Sequence, residues 1–403
     1  MSSPSQTVLP VVQLKAGAER RIRSGHRWVY SNEIDVPVGD YRALDVGSCA
    51  TLQSARGDVL GSAYFNRHAL QCGRLYHRVG DCPLDAHLLQ QRLTRALRWR
   101  EQQFDAPFYR LVYGDGDDLP GLVVDRYGDY LVVQLTTAGM VHLRDSVFDA
   151  LQALLAPAGI LWRNDKINDI EHLDAVQDVV RGNMPADVAL EENGVVFHMS
   201  PRDGQKTGWF YDHRDNRRQF AGFARGGRVL DVYSYVGGWG VQALAAGAVS
   251  LTCLDSSAQA LDLAAGNAAT YGATTDNGRF SALLGNAIDS MKALAAAGET
   301  FDAVVLDPPA FIKRRKDYKS GLQAYHRANQ LAVKLLAPGA MLVSASCSAP
   351  LDEEALVAVL ATAAHKAGRS ATLVGRGSLA ADHPLLPTIP EMNYLKAVFA
   401  RFD

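Results

Sequence analysis

The chain has 403 residues, of which 41 are Lys or Arg and 43 are Asp or Glu, so its net charge is -2. The length predicts about two or three domains. A content of 48% hydrophobic and 21% charged residues is typical of a globular protein and argues against a disordered, collagen-like or coiled-coil chain. A net charge near zero also argues against a uniformly basic chain, so any basic surface is local.

The cysteines and the first residues indicate a cellular compartment. Five cysteines are spread along the chain without any C-x-x-C pair, namely Cys49, Cys72, Cys82, Cys253 and Cys347. This spacing argues against a disulfide framework or a zinc site and fits a reducing compartment. The first residues, MSSPSQTVLPVVQLKAG, lack a charged leader followed by a long apolar run, and no stretch approaches about 18 uncharged apolar residues. We therefore expect a soluble, cytoplasmic protein with no membrane span and no metal.

The N-terminal part of the chain, from residue 8 to about 78, holds short apolar runs broken by Gly and Asp. This pattern predicts a small all-β module. Near its start lies a basic stretch, Lys15, Arg20, Arg21, Arg23, His26 and Arg27. Such a stretch is either a solvated surface or a surface that faces phosphates.

A helical period begins at about residue 84. Apolar residues are spaced for an amphipathic helix through about Phe104, at Leu88, Leu89, Leu93, Leu97 and Trp99. The strands GLVVDRY and YLVVQL follow, then a second helix near 142–155 and further strand, so residues 80–195 are predicted to form an α+β unit. Pro185 and the polar stretch ALEENG mark a boundary near 190.

From about residue 226 the predicted strands and helices alternate. Buried apolar strands that alternate with helices predict a parallel, doubly wound sheet. At the end of the chain, ATLVGRG and MNYLKAVFARF have no helix between them, which predicts an antiparallel pair of strands at one edge. A Rossmann-like sheet that ends in such a pair is the arrangement expected of class I S-adenosylmethionine methyltransferases.

Three positions in this sheet suit a nucleotide-like cofactor. The strand VLDV ends at Asp231, and the turn YSYVGGWG then places Gly237, Gly238 and Gly240 before a helix. Glycines there permit close approach to a ligand, although they also serve for packing. Asp255, at the tip of the next strand, suits a ribose diol or caps a helix that starts at Ser256. Asn286 in LLGNAID would accept a hydrogen bond from an adenine amino group, or is a turn residue.

The motif Asp307-Pro308-Pro309-Ala310-Phe311 follows the hydrophobic strand AVVL. The two prolines stiffen the loop at the carboxyl end of a parallel strand, where open α/β sheets bind ligands. An aspartate and an aromatic ring suit a planar base, since Asp307 would hydrogen-bond the base edge while Phe311 stacks on the base or packs beneath the loop. The alternative is a rigid turn with Phe311 in the core.

Cys347 lies in SASCSAP, directly after the strand AMLVSAS. Cysteine is the side chain best able to act as a nucleophile near neutral pH, and carbon 5 of a pyrimidine needs a nucleophile at carbon 6 before it reacts. A free cysteine is otherwise commonly a buried structural residue. Adjacent parallel strands would bring Cys347 and Asp307 to one crevice, which favours catalysis.

Two charged runs lie next to these motifs. Residues 203–218, DGQKTGWFYDHRDNRR, place Lys206, Arg214, Arg217 and Arg218 among aromatic residues, and IKRRKDYK at 312–319 follows the D-P-P loop. Such runs are either ordinary surface charge or a surface for a phosphate backbone and stacked bases.

These segments together resemble the ribosomal RNA large subunit methyltransferase I family, the 23S rRNA 5-methylcytosine methyltransferases, over nearly the whole chain. LKAGAERRIRSGHRWVYSNEI resembles the family's PUA domain, and GDGDDLPGLVVDRYGDYLVVQL its central α+β domain. QKTGWFYDHRDNR, DVYSYVGGWG, LDSS, DPPAF, SCS, ADHP and YLKAVFAR resemble its catalytic domain. The expected fold is an N-terminal PUA-like β-barrel (1–80), a central α+β domain (81–195) and a C-terminal Rossmann-like α/β class I methyltransferase domain (196–403).

The resemblance implies S-adenosylmethionine as cofactor and 23S rRNA, or the assembling large ribosomal subunit, as partner, with a homodimer in keeping with the family. It implies Cys347 as nucleophile and Asp307 as the residue that holds the base. The implied cofactor contacts are Gln205, Lys206, Thr207, Asp231, Tyr233, Gly237, Gly238, Asp255, Asn286 and Asp307. The implied substrate contacts are Arg20, Arg21, Arg27, Arg214, Pro308, Phe311, Lys313 and Arg314.

Three alternatives stay open. D-P-P followed by an aromatic residue also serves enzymes that methylate exocyclic amines without a thiol, although their aromatic residue usually follows the second proline directly and Ala310 intervenes here. A nicotinamide-dependent oxidoreductase could use the same sheet, but the glycine spacing and the D-P-P loop argue against it. A non-catalytic RNA-binding or assembly factor could use the basic N-terminal module. The group that removes the proton from carbon 5 is not assigned by these motifs.

Overall fold

The computed structural model describes residues 8–164 and 166–403. They form two compact units. The first unit is the described part of Met1–Val188 with Ser200–Trp209 and Ala381–Pro390, and the second unit is Ala189–Met199, Phe210–Ala380 and Glu391–Asp403. The predicted limits 1–80, 81–195 and 196–403 stay a prediction, and residues 1–7 of the first of them lie outside the described residues.

The N-terminal part of the first unit is a five-stranded sheet with the order β1-β3-β4-β5-β2. Its elements are β1 (Val11–Gln13), α1 (Glu19–Arg23), β2 (Trp28–Val29), β3 (Cys49–Gln53), β4 (Val59–Phe65) and β5 (Gly73–His77). β1 runs parallel to β3, and the other neighbours are antiparallel. β4 passes so close to β5 that a Cβ atom on Gly61, where φ is +145°, would lie 2.1 Å from the carbonyl oxygen of His77. Only glycine fits at that position.

The prediction that this module is all β is wrong at one place, because the basic stretch contains the short helix α1. Glu19 and the arginines of this segment favour helix, and Ile22 is the residue that the helix buries. A single turn with one buried apolar residue produces no 3.6-residue period, so the hydrophobic pattern could not reveal it.

The rest of the first unit is a second five-stranded sheet, with the order β10-β9-β8-β7-β6, and three helices. Its elements are α2 (Ala86–Gln103), β6 (Phe108–Tyr113), β7 (Leu122–Tyr127), β8 (Tyr130–Leu135), α3 (Ala138–His142), α4 (Arg144–Leu155), β9 (Gly159–Asn164) and β10 (Val176–Gly182). The amphipathic helix is confirmed as α2, whose Leu89, Leu93 and Leu97 are buried, whereas Trp99 is 44% exposed because it lies off that stripe. The helix predicted near 142–155 is confirmed as α4, with α3 directly before it.

The second unit is a seven-stranded sheet with the order β15-β14-β13-β16-β17-β19-β18, preceded in the chain by a two-stranded hairpin. Its elements are β11 (Val188–Glu192), β12 (Val195–Met199), α5 (Arg214–Phe223), β13 (Arg228–Val232), α6 (Gly238–Ala245), β14 (Ser250–Asp255), α7 (Ala258–Ala269), β15 (Phe280–Leu284), α8 (Ala287–Ala296), β16 (Phe301–Leu306), α9 (Tyr318–Lys334), β17 (Leu336–Ser346), α10 (Glu353–Lys366), β18 (Ala371–Gly377) and β19 (Lys396–Phe402). β13 to β17 are parallel, and β19 and β18 are antiparallel, as the sequence predicts.

The order of the strands decides where a ligand binds in this sheet. β14 and β16 lie on opposite sides of β13, so the direction of strand addition reverses there. α6 and α7 pack against the β14 side, and α8, α9 and α10 pack together over the core of β16, β17 and β19. A crevice forms at the carboxyl ends of the strands at such a switch point, because the connections leave toward opposite faces.

The polar stretch ALEENG is the end of β11 and the turn to β12. Asn193 and Gly194 both have positive φ, 57° and 77°, which is the conformation of a two-residue hairpin turn. The predicted boundary near 190 therefore falls on a hairpin, and the first compact unit passes into the second between Val188 and Ala189. None of the helices in the described part of the chain combines the length and the apolarity that crossing a membrane requires.

Candidate active site at the carboxyl ends of the parallel strands

The turn between β13 and α6 is held in a strained conformation. Tyr233 and Tyr235 have φ of 66° and 50°, and Gly237, which directly precedes α6, has φ of 81°. Side chains rarely adopt this left-handed region, and such strain is typical of ligand-binding turns. Gly240 has a different role, because a Cβ atom there would lie 2.2 Å from Leu251 of β14. One glycine therefore shapes the turn, and the other lets α6 pack on the sheet.

Asp231 of β13 is fully buried beneath this turn. Its Oδ2 accepts a hydrogen bond of 2.9 Å from the backbone N–H of Gly240. Its Oδ1 has no hydrogen-bond partner among the described residues. Burial raises the pKa of Asp231 to about 7, against the opposing effect of the Gly240 N–H. An unpaired carboxylate oxygen in a buried position is stable only when a donor or a cation completes it.

Asp255, the last residue of β14, ties two loops together. Its Oδ2 accepts from the N–H of Tyr235 at 2.9 Å, and its Oδ1 accepts from the N–H of Ser257 at 3.0 Å. The expected alternative, in which Asp255 caps a helix starting at Ser256, is corrected, because α7 begins at Ala258 and Ser257 is its cap. Each carboxylate oxygen keeps a lone pair that can accept from a further donor.

Asn286 is the N-cap of α8. Its Oδ1 accepts from the N–H groups of Ile288, at 3.0 Å, and Asp289, at 3.3 Å. These bonds use the oxygen that was predicted to accept from an adenine amino group. Asn286 is therefore a helix cap, which neither sequence interpretation named, and its amide nitrogen is the atom that remains for a ligand.

Asp307 directly follows β16 and is held by two aromatic donors. Trp239 Nε1 donates to its Oδ2 at 3.0 Å, and His213 Nε2 lies 3.3 Å from its Oδ1. The other ring nitrogen of His213 lies 3.0 Å from the amide nitrogen of Asn216, which fits an Nδ1 acceptor and an Nε2 donor. Burial alone would raise the pKa of Asp307, but His213 and Trp239 outweigh it and lower that pKa below its ordinary value. The carboxylate is thus kept ionised.

His213 and Trp239 are site residues that the sequence analysis did not single out. Trp239 lies inside the glycine turn, and His213 lies inside the charged aromatic run 203–218. Each carries a ring N–H donor within a segment that was predicted to bind a ligand, and this was the available sign of a site role. What the sequence could not show is that both would reach one carboxylate, because they lie 68 and 94 residues away from it.

Cys347 directly follows β17, and the parallel pairing of β16 with β17 brings it to the D-P-P loop, as predicted. Its Sγ lies 3.9 Å from the carbonyl oxygen of Pro308, within the range of a thiol hydrogen bond. The thiol is half-buried, whereas the thiol of Cys253 in β14 is fully buried. Phe311 takes the packed position of the two considered, with its ring 4.9 Å from that of Tyr325 and 6.3 Å from that of Tyr233, both edge to face.

The predicted phosphate contacts lie in different environments. Lys313 and Arg314, in the loop after the D-P-P motif, are exposed. Arg214 is 8% exposed, with its Nε 3.8 Å from Glu192 and its guanidinium over the ring of Tyr211. The predicted contact of Arg214 with RNA phosphates stays a prediction.

Six of the predicted site residues lie in the first unit, whereas Gly238 is the first residue of α6 in the second unit. Arg20 is exposed, whereas Arg21 forms a salt bridge of 2.7 Å with Glu33 and Arg27 pairs with Asp118. Gln205 and Lys206 are exposed, Lys206 has φ of 53°, and Thr207 is buried with its carbonyl oxygen accepting from Tyr127. Their predicted parts in cofactor and RNA binding stay predictions.

Comparison with known proteins identifies the class. Residues 151–399 match the S-adenosylmethionine-dependent methyltransferase family, and residues 12–78 match the PUA-like domain family. Two solved structures share the fold. One, from Streptococcus mutans, is described as a SAM-dependent methyltransferase and has TM-score 0.81 and 20% identity. The other is described as a methyltransferase complexed with SAH and has TM-score 0.80 and 21% identity. Each covers 98% of this chain and 100% of its own. The fold and the site therefore define a SAM-dependent methyltransferase that carries a PUA-like domain.

Relatives that match over nearly the whole chain identify the family more closely. The ribosomal RNA large subunit methyltransferase I of Pseudoalteromonas atlantica is 31% identical over 97% of this chain and 98% of its own length. The protein of the same name from Yersinia pestis is 31% identical over 96% and 98%. The chain belongs to the ribosomal RNA large subunit methyltransferase I family. The expected fold class, with its PUA-like and methyltransferase domains, is confirmed, as is S-adenosylmethionine as the cofactor.

The residues at the carboxyl edge of the sheet fit this cofactor. S-adenosylmethionine carries an ammonium group, a ribose diol and an adenine ring, so it needs acceptors as well as a close backbone approach. The unpaired Oδ1 of Asp231 and the spare lone pairs of Asp255 are such acceptors. The left-handed turn at Gly237 supplies a backbone that a ligand can approach.

We expect Asp231→Asn to change how stability depends on pH. Because the pKa of Asp231 is raised, the folded chain retains a proton that the unfolded chain loses between about pH 4 and pH 7. The wild-type protein without cofactor therefore loses up to about 4 kcal/mol of stability as the pH rises through this interval. The amide has no proton to lose. The melting temperature of Asp231→Asn relative to wild type should rise between pH 5 and pH 8.

The matched control for this measurement is Asp302→Asn, which changes an exposed carboxylate of the same sheet. Its melting temperature relative to wild type should not vary with pH in the same way. A pH-independent difference for Asp231→Asn would show that Asp231 is ionised at the same pH in the folded and unfolded chains.

Proposed function

We propose that this protein transfers a methyl group from S-adenosylmethionine to carbon 5 of a cytosine in 23S rRNA, through a transient covalent adduct with Cys347. The observation that carries the proposal is the half-buried thiol of Cys347, 3.9 Å from the carbonyl oxygen of Pro308 in the loop that begins with the ionised Asp307. The names of the full-length relatives support ribosomal RNA of the large subunit as the substrate, and the PUA-like domain supports RNA binding.

A thiol nucleophile can overcome the low reactivity of carbon 5 of cytosine. Carbon 5 of cytosine is a poor nucleophile until electron density is pushed onto it. The Cys347 thiolate attacks carbon 6, forming a C–S bond and giving carbon 5 the character of an enamine. S-adenosylmethionine, when bound, would supply an electrophilic methyl group to carbon 5, with S-adenosylhomocysteine as the leaving group. A base then takes the proton from carbon 5, and the C–S bond breaks to release the thiolate and restore the aromatic ring.

Asp307 holds the base in this scheme. As a carboxylate it can only accept hydrogen bonds, so its natural partner on cytosine is the exocyclic amino group. Trp239 and His213 each donate to one oxygen, which fixes the carboxylate plane while leaving lone pairs for the base. A carboxylate fixed in advance orients a bound base at little entropic cost.

The cofactor contacts are part of the proposal. In the second unit we assign Asp231, Tyr233, Gly237, Gly238, Asp255, Asn286 and Asp307 to S-adenosylmethionine, with Asn286 donating from its amide nitrogen rather than accepting. Gln205, Lys206 and Thr207 of the first unit are assigned from the family resemblance. We place the enzyme in the cytoplasm, in keeping with an rRNA substrate, and expect a homodimer in solution.

Transfer of labelled methyl from S-adenosylmethionine to unmodified 23S rRNA, followed by nucleoside analysis, tests the proposal. Label in 5-methylcytidine supports it. Label in an N-methylated nucleoside overturns the carbon-5 assignment and favours the exocyclic-amine alternative. The control is 23S rRNA already carrying the modification, which should accept no label. Running naked rRNA and assembling subunits in parallel identifies the form of the substrate.

We expect the double variant Lys313→Ala, Arg314→Ala to bind rRNA more weakly with little change in kcat. Both side chains are exposed in the loop that follows the D-P-P motif. Removing each cation that neutralises an RNA phosphate should reduce the salt dependence of binding by about one counterion, and therefore by up to about two counterions for the double variant. Binding titrations at several salt concentrations measure this slope. The control is Lys366→Ala, at the end of α10 that points away from the carboxyl edge of the sheet. Equal slopes for wild type and the double variant would show that this loop does not contact RNA phosphates.

A further inference from the structure

The turn that carries Cys347 is braced from one side by α9. The hydroxyl of Tyr325 hydrogen-bonds Ser346 Oγ at 2.8 Å and Ser348 Oγ at 2.9 Å. Ser348 Oγ also accepts from the N–H of Ile312 at 3.1 Å. Both neighbours of Cys347 are therefore fixed by bonds to buried groups.

Lys396 approaches the same turn from β19. It stands opposite Ser346 in the antiparallel pairing of β17 with β19, and it is 7% exposed. Its Nζ donates to the carbonyl oxygen of Ser348 at 2.7 Å and to that of Tyr394 at 3.0 Å. The ammonium group thus binds the residue directly after Cys347.

The hydrogen bonds that the described residues offer this ammonium group do not neutralise its charge. Both of its hydrogen-bond acceptors are neutral carbonyl oxygens, and no carboxylate of the described residues forms a salt bridge with it. Burial lowers the pKa of Lys396 to about 8, with smaller opposing effects from Cys347 and Asp352. Asp352 is also the N-cap of α10, where its Oδ1 accepts from the N–H of Ala355 at 2.7 Å. Burying a cation without a full counter-charge costs free energy, so an anion close by is favoured.

The thiolate form of Cys347 would supply that anion. Among the described residues, Lys396 from β19 and Tyr325 from α9 interact with Cys347, Asp352 at the start of α10 acts on Lys396, and the ionised Asp307 begins the loop whose Pro308 carbonyl the thiol contacts. Tyr325 is neutral near pH 7, because burial raises its pKa. Lys396 is thus the cation that can stabilise a negative charge on Sγ, and a nearby cation is the usual means of activating a cysteine.

We propose that Lys396 is a positioning residue that activates Cys347, by fixing the Ser346–Ser348 turn and by stabilising the thiolate, whose proton passes to water. This inference deepens the proposed function and rests on it, because the thiolate is the species that attacks carbon 6. Lys396 acts through Cys347 and does not touch the base.

The test is the rate at which iodoacetamide alkylates Cys347 in the full-length protein without cofactor, followed by mass spectrometry of the Cys347 peptide from pH 5.5 to pH 9.5. In wild type the midpoint of the rate profile should lie below the ordinary thiol value of about 8.5. Lys396→Met should move the midpoint upward by about one pH unit and slow alkylation at pH 7 about tenfold. Lys396→Arg, which keeps the charge, should restore most of the rate.

Two further results separate charge from structure. Tyr325→Phe removes hydrogen bonds from the turn without removing a charge, so its midpoint should stay near that of wild type. A wild-type midpoint at or above about 8.5, or identical midpoints for wild type and Lys396→Met, would overturn the inference. The wild-type profile alone decides the matter should Lys396→Met fail to fold. A low wild-type midpoint that rises in Lys396→Met would support activation of the thiol. If Cys347→Ala also transferred methyl groups normally, the proposed function would be wrong while the activation would stand.

Discussion

Replacing Cys347 with alanine is expected to abolish methyl transfer, with a fall in turnover on the order of 10⁴-fold, while affinity for S-adenosylhomocysteine stays within about twofold. The thiol is the one protein group in the proposed scheme that forms a covalent bond to the base. Alanine removes only the sulfur atom and leaves the turn held by Tyr325 and Lys396. The measurement is single-turnover transfer to 23S rRNA, beside a calorimetric titration with the cofactor product.

The matched control for this variant is Cys82→Ala, which removes another half-buried thiol, in the first unit. It should keep normal turnover. A second measurement uses RNA that carries 5-fluorocytidine, because fluorine at carbon 5 cannot leave as a proton and the adduct is therefore trapped. Wild type should form a protein–RNA species that survives denaturation, and Cys347→Ala should form none. Normal turnover by Cys347→Ala would show that Cys347 is not the nucleophile and would favour the exocyclic-amine alternative.

The second large effect is expected for Asp307→Asn, which should lower kcat about 10² to 10³-fold. An amide offers one acceptor where the carboxylate has two, so its NH₂ group would face either Trp239 Nε1 or His213 Nε2, both assigned as donors. The mismatch leaves one donor unsatisfied and costs about 1 to 3 kcal/mol of stability. The base also loses a charged acceptor for its amino group. Steady-state kinetics and thermal unfolding measure the two consequences separately.

The pH profile provides a further check on Asp307. Since its pKa is lowered below the ordinary value, wild-type activity should show no ionisation of this group between pH 5 and pH 9. Asp302→Asn is the matched control, because Asp302 lies near the start of the same strand, exposed, and its carboxylate accepts from the N–H of Arg228. It should leave kcat unchanged. Turnover of Asp307→Asn within about threefold of wild type would show that Asp307 does not hold the base.

Local sequence patterns predicted the elements of the fold well. The leucines of α2, the alternation of apolar strands with helices after residue 226, and the helix-free end of the chain each correspond to an observed element. These features depend on contacts within one segment or on the periodic burial of one face. The exceptions, α1 and the hairpin turn at Asn193, are too short to generate a period.

The candidate site was predictable only in part. Motif position placed Asp231, Asp255, Asp307 and Cys347 at the ends of parallel strands, because the carboxyl ends of such strands meet at one edge of the sheet. The same argument could not assign hydrogen bonds. It gave Asn286 an acceptor role that two backbone N–H groups already occupy.

The sequence by itself determined the class of fold, the family and the strand-end residues that suit a cofactor and a base, since these follow from periodicity, glycine and proline chemistry, and motif order. Only the tertiary structure decided which side chains share a partner. His213 and Trp239 converge on Asp307, Arg214 is buried against Glu192, and Lys396 meets the turn of Cys347. Such contacts join segments tens of residues apart, and they depend on strand order and register, which no local pattern encodes.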